Sequence, residues 1–179
     1  MSEIVLETER LVLRTWDEHY GRLLDKHCNT DAVMEHLGGP QSPKKHSEMV
    51  KWLIDQQNNH GTTFWVMETK ERRDFLGFCG LVKVDEIDST VLGCTEIGWR
   101  LRADDAFRRK GFVKEAAKAS FKFAFENRKE LRVVSRTTLG NVASWNLMQD
   151  LGMWHDPRLD YYSTKDDDNY IVHVLTNED

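Results

Sequence analysis

The chain has 179 residues, 40% of them hydrophobic and 31% charged, a balance that fits a folded globular protein and excludes a disordered one. Its formal net charge of −5 argues against broad attraction to nucleic acid or to an anionic membrane, although a local basic pocket stays possible. No run approaches the ~18 apolar residues of a spanning helix, and Met1 to Glu9 has no signal-like apolar stretch. The expectation is a single cytoplasmic domain, 1–179, with neither a membrane nor a nucleic-acid partner.

The elements follow in chain order. Arg10 to Trp16 is rich in strand formers, and Asp17 is an N-cap for a helix running towards Cys28. Gly38-Gly39-Pro40 breaks the chain. Lys44 to Asn59 reads as helix, with Met49, Trp52, Leu53 and Gln56 at three- and four-residue steps. Three strands are expected at Thr62–Glu68, Phe75–Val84 and Val91–Leu101. Short charged gaps join them, as in an antiparallel meander.

A helix then opens at Gly111 and runs to about Asn127, with Glu115, Lys118, Lys122 and Glu126 along a solvated face. Arg132–Thr137 is a β-branched strand, and Val142–Asp150 a helix stopped by Gly152. Trp154 and Tyr161-Tyr162 fall in or near another strand, and Tyr170–Leu175 makes the last. A meander followed by strand–helix–strand–helix–strand predicts an α/β or α+β fold. Its single central sheet would have a parallel contact across the Gly111 helix.

Cys28, Cys79 and Cys94 are widely spaced and form no C-x-x-C pair, so neither a disulfide framework nor a zinc knuckle is expected. Cys79 and Cys94 fall in apolar strand-like runs, where a buried thiol is the simpler reading. None of the seven histidines forms an H-x-x-x-H pair or joins a cysteine cluster, and no metal is expected.

The most informative segment is Glu96-Ile-Gly-Trp-Arg-Leu, a polar turn, then Arg108-Arg-Lys-Gly-Phe-Val113 opening the helix. Helix N-termini expose unpaired N–H groups and partial positive charge, which favour a phosphate. Gly111 lets the backbone come close, and Arg108, Arg109 and Lys110 add charge.

Arg108-x-x-Gly111-x-Val113 resembles the Q/R-x-x-G-x-G/A signature of the GNAT acetyltransferase superfamily. Glu7-Thr-Glu-Arg-Leu-Val-Leu-Arg14 and Glu96-Ile-Gly-Trp99 resemble the first and fourth strands of its RimJ/RimL-like branch. Asn141-x-x-Ser144 and Leu151-Gly152-Met153 resemble its second coenzyme-A-contacting helix and the turn after it. The resemblance implies a mixed, mostly antiparallel sheet of about seven strands flanked by about four helices. It also implies acetyl-CoA as cosubstrate, held by Trp99, Arg100, Leu101, Arg108, Arg109, Lys110, Gly111, Phe112, Val113, Asn141 and Ser144. Val113 departs from the family's Gly or Ala, and the stretch from Leu101 to Arg108 is longer than is common.

Acetyl transfer needs a neutral amine, although an α-amino group titrates at ~7.7–8.0 and a lysine at ~10.4. Glu96, at the start of the fourth strand, is the candidate base acting through a water. A backbone N–H near Trp99–Leu101, freed by a bulge, would receive the carbonyl oxygen. For the leaving thiolate the family offers a tyrosine, and Met148 stands there. Ser144, one turn after Asn141, is the substitute, while Asn141 as N-cap with Ser144 in the first turn is the structural alternative. His155 and His173 could serve as bases, and Trp65 and Trp99 could line an acceptor groove. The function expected is N-acetylation of a protein N-terminal or small-molecule amine, by a monomer or homodimer. The alternative is a non-catalytic coenzyme-A-binding sensor or interaction module.

Overall fold

The computed structural model describes residues 1–177. Strands β1 (Ile4–Glu7) and β2 (Leu11–Arg14) form a hairpin where one opening strand was expected. Asp17 caps α1 (Glu18–Cys28), its side chain accepting from the Tyr20 N–H at 3.2 Å. The short α2 (Asp31–Met34) precedes Gly38 and Gly39, both at positive φ. Helix α3 (Pro43–His60) starts on a proline, whose missing N–H costs nothing at a first helical position.

Strands β3 (Phe64–Thr69), β4 (Phe75–Lys83) and β5 (Thr95–Leu101) form the antiparallel meander. Val91–Gly93, expected in the third strand, instead make a turn in which Gly93 N–H donates to the Val84 carbonyl at 2.9 Å. Cys94 therefore lies in a bend, half-buried, while burial pushes the Cys28 and Cys79 thiols up to about 12. Helix α4 (Phe112–Lys122) continues as a π turn over Phe123–Asn127, closed by Arg128 N–H to the Phe123 carbonyl at 3.1 Å. Then come β6 (Arg132–Thr138), α5 (Val142–Asp150), β7 (Trp154–His155), β8 (Tyr161–Ser163) and β9 (Asp168–Thr176).

The nine strands form one mixed sheet in the order β1-β2-β3-β4-β5-β6-β9-β7, with β8 also paired to β9. Among the described residues, nine strands and five α-helices exceed the expected seven and four. The additions are β1, α2 and the division of the expected Trp154–Tyr162 strand into β7 and β8, all too short to display a hydrophobic period. Among the described strands only β5 and β6 are parallel, and their register contains the single pairing Glu96–Val134. Beyond it the two strands part.

Helices cover both faces. On one, Ala116, Ala117 and Ala124 are fully buried against Trp65, Met67, Cys79, Leu81 and Ile97, their small side chains letting α4 lie close on the sheet. On the other, α1 and α3 pack Tyr20, Leu24 and Leu53 against Val66, Phe75 and Phe78. Burying each large apolar side chain contributes ~1.5–3 kcal/mol before the entropy of ordering is set against it. Among the described residues no helix is long and apolar enough to cross a membrane.

Candidate active site

A cleft of about 760 Å3 opens where β5 and β6 separate. Of the residues expected to form the site, Glu96, Trp99, Arg100, Leu101, Arg108, Arg109, Gly111, Phe112, Val113, Asn141 and Ser144 all line it. Lys110 does not. It contributes its carbonyl oxygen, which accepts from Arg10 Nη1 at 2.9 Å.

The loop before α4 is shaped by two residues at positive φ, Arg109 (58°) and the N-cap Gly111 (79°). The first helical bond is Glu115 N–H to the Gly111 carbonyl at 3.0 Å. No acceptor among the described residues meets the N–H groups of Arg109, Lys110, Gly111, Phe112, Val113 or Lys114. Unpaired main-chain donors in a row, at the positive end of a helix, form an anion cradle. The Val113 side chain is buried with Ala116 and Ala117 in the core on the α4 side, so its departure from Gly or Ala fills the interior beneath the loop. The longer stretch ahead of the loop is folded back by Arg102, which donates to Asp104 Oδ2 at 2.6 Å and to the Phe75 carbonyl at 3.0 Å.

The opening motif acquires a physical meaning here. Arg10 Nε donates to Glu115 Oε2 at 2.6 Å and its guanidinium lies over the Phe112 ring, 4.4 Å from the centroid. The Thr8 hydroxyl and the Arg10 N–H both donate to Glu115 Oε1. Burial works against the Glu115 carboxylate, but these hydrogen bonds outweigh it and hold its pKa below the usual range. Glu115 is thus a clamp and not, as the helical spacing suggested, part of a solvated face. Thr8 and Arg10 were missed because their partner lies far along the chain.

On β5 the Arg102 N–H faces β4, donating to the Leu76 carbonyl at 2.9 Å. Strand alternation therefore turns the N–H groups of Trp99 and Leu101 towards the cleft. No register shift interrupts the β4–β5 pairing, so strand separation frees these donors, and the expected bulge is not needed. Ile97 is still tied across, its carbonyl accepting from Ser135 Oγ at 2.9 Å.

Asn141 is the N-cap of α5, its side chain accepting from Ser144 N–H at 3.3 Å. The Asn141 Nδ2 and the Ser144 hydroxyl have no partner among the described residues, and both residues face the cleft. Met148 is buried in the core at 1% exposure and offers the cleft no donor.

Glu96 stands in a buried ion-pair network. Arg136 on β6 donates from Nε to Oε1 at 3.1 Å and from Nη2 to Oε2 at 2.8 Å. Its Nη1 reaches Glu86 Oε2 at 2.7 Å and also the Tyr161 hydroxyl. Burial opposes the Arg136 charge, but the Glu96 and Glu86 carboxylates outweigh it and raise its pKa further. Burial likewise opposes the Glu86 carboxylate, whose hydrogen bonds from Ser163 and Arg136 hold its pKa down. The signal for Arg136 was legible: a lone interior cation in the β-branched run Arg-Val-Val-Ser-Arg-Thr-Thr138.

Arg100 points to the opposite face from Trp99 and Leu101, towards α3, with Nη1 3.9 Å from Met49 Sδ. On that face Phe64 and Phe78 stack with centroids 5.4 Å apart, and Phe64 occupies the place where a Gly98 Cβ would come within 2.7 Å. Neither phenylalanine carried a sequence signal. Trp65 is fully buried and lines no groove. His155 Nε2 pairs with Asp160 at 2.8 Å, and His173 is buried beneath it, so neither reaches the cleft.

Residues 10–154 match the family model described as the acetyltransferase (GNAT) domain. An uncharacterized protein of Bacillus subtilis, YkkB, is 29% identical over 153 residues, covering 83% of this chain and 84% of that protein. An acetyltransferase structure from Agrobacterium tumefaciens superposes with a TM-score of 0.81 at 21% identity, covering 96% and 94% of the two chains. A Salmonella typhimurium acetyltransferase that modifies the N-terminal serine of ribosomal protein L7/L12 superposes with a TM-score of 0.77 at 15% identity, covering 98% and 100%. With its N–H cradle at a helix start, its parted strands and a family match spanning most of its length, this chain belongs to the GNAT acetyltransferase family.

Proposed function

We propose that the chain, acting as a single cytoplasmic domain, transfers the acetyl group of acetyl-CoA to a primary amine by direct attack. The observation that carries the reading is the row of unpartnered N–H groups from Arg109 to Lys114 beside the opening of β5 from β6. A pyrophosphate fits that cradle, since the donors converge at a helix N-terminus with Arg108 and Arg109 next to them. Bound acetyl-CoA supplies an activated thioester, and the chain's own residues do the rest.

The N–H groups of Trp99 and Leu101 donate to the carbonyl oxygen as negative charge develops there. Asn141 donates from Nδ2 to the pantetheine amide. Each Glu96 oxygen accepts one N–H from Arg136 and keeps lone-pair capacity for a water, through which it takes the amine proton. The Ser144 hydroxyl donates a proton towards the departing thiolate. A protein N-terminal amine is the acceptor supported by the activity of the Salmonella enzyme, and a small-molecule amine fits the same chemistry.

The test is a calorimetric titration with acetyl-CoA, followed by free-thiol release against a panel of amines and N-terminal peptides. Absence of acetyl-CoA binding at millimolar concentration would overturn the proposal. The buried Met148, where the family has a tyrosine donor, favours a second reading as a coenzyme-A-binding module without turnover. A tenfold lower acetylation rate in Glu96→Gln or Ser144→Ala excludes that module.

A further inference from the structure

Arg100 is the unexplained charge in the cleft. Its Nε is buried with no hydrogen-bond partner, and the contact of Nη1 with Met49 Sδ at 3.9 Å is a weak one. The guanidinium lies over the Phe78 ring, 5.2 Å from its centroid. No carboxylate among the described residues stands within salt-bridge distance of it. The other arginines with little exposure are paired: Arg14 with Glu68 at 3.5 Å, Arg102 with Asp104 at 2.6 Å and Arg136 with Glu86 at 2.7 Å. A desolvated cation without a counter-ion is costly, and burial lowers the Arg100 pKa.

The placement gives that cost a purpose. Strand alternation puts Arg100 on the face of β5 that holds Glu96 and Gly98, away from the loop and helix that cradle the pyrophosphate. Around it the cleft is lined by Val33, Phe64 and Phe78, an apolar wall where ion pairing is little screened by water. Arg136, the other cation of this face that lines the cleft, has its donors taken by Glu86, Glu96 and Tyr161. Glu35 at the rim has a side chain 72% exposed and provides no buried partner.

We propose that Arg100 receives a carboxylate of the amine acceptor, so that the substrate class is a primary amine bearing a carboxylate. This rests on the acetyltransferase reading and names the acceptor of that same site. A planar monoanion matches the guanidinium fork and neutralises the single free charge. A doubly charged phosphate would need a second unpaired cation on this wall, and Arg136 is not free. The Arg100 side chain is thereby a specificity determinant for the acceptor.

Two measurements decide it. First, 3-phenylpropionate and 3-phenylpropionamide are titrated into the full chain, wild type and Arg100→Met, with acetyl-CoA titrated separately. Saturable carboxylate binding is expected, at least tenfold weaker for the amide and for R100M, with the acetyl-CoA Kd unchanged within twofold. Second, thiol release is compared for phenylalanine against its amide and for peptides beginning with Asp against Asn, which separates a free amino acid from an acidic peptide terminus. A tenfold or greater rise in KM is expected wherever the carboxylate is lost. Equal binding of acid and amide, or no saturable carboxylate binding in the millimolar range, overturns the role of Arg100 without any variant. Failure of acetyl-CoA to bind sinks the acetyltransferase reading instead, and the carboxylate titration still decides Arg100.

Discussion

Glu96 and Arg136 share a two-point ion pair, at 3.1 and 2.8 Å, across the one place where β5 and β6 are in register. The pair sits at the apex from which the cleft opens, so it fixes the geometry of the parting strands as well as a carboxylate. Removing one member of a buried pair typically costs ~3–5 kcal/mol, because the other charge is left uncompensated. Arg136 keeps Glu86, so Glu96→Gln should fall at or below the lower end of that range in urea unfolding. The same variant should lower kcat at least tenfold. Loss of stability with an unchanged kcat would reduce Glu96 to a structural residue.

Arg10 links the β1–β2 turn to the loop ahead of α4 through Glu115 and the Lys110 carbonyl. Its side chain is 43% exposed, so solvent screening keeps its contribution to stability small. The expected effect of Arg10→Ala lies in the loop: acetyl-CoA binding weakened up to about tenfold, ~1.4 kcal/mol, with the melting temperature nearly unchanged. Calorimetry alongside thermal unfolding separates the two, and equal losses in both would remove the loop-specific role.

Ser144 has its N–H capped by Asn141 and its hydroxyl free. General acid catalysis is typically worth ~100-fold or more in rate, and water substitutes in part. Ser144→Ala should therefore lower kcat by about tenfold or more while leaving the acetyl-CoA Kd and the melting temperature as they were. A kcat within twofold of wild type would mean that solvent protonates the thiolate.

His173 is 1% exposed, and both ring nitrogens lack a partner. Burial lowers its pKa below the ordinary 6.5, and the neighbouring His155 lowers it further. Below pH 6.5 the unfolded chain thus binds a proton that the native chain refuses. Stability is complete above that pH and is lost as pH falls from there through the lower folded value. His27 shifts the same way, so the contribution is read as a difference between variants. Urea midpoints at pH 7.5 and 5.5 should fall more for wild type than for His173→Leu, and parallel losses would discount His173.

Local signals in the chain carried the main elements. Asp17, Gly111, Asn141 and Gly152 marked helix ends that the structure keeps, because capping and positive φ depend on residues close in sequence. The meander and the parallel crossover also followed from period and connection length. The bulge did not, since whether an N–H is freed depends on where a distant strand lies. Glu115 likewise read as solvated from its helical spacing, although Thr8 and Arg10 claim it.

By itself the sequence determined a glycine-capped basic turn at a helix start on a mixed α/β sheet, because backbone conformation, capping and periodicity are short-range properties. The tertiary structure alone decided that Val113 points into the core and that Glu96 is bound by Arg136. It also decided that Arg100 stands without a carboxylate partner on the face of β5 turned towards α3. Each of those outcomes depends on which side chain from a distant strand or helix supplies, or withholds, a partner.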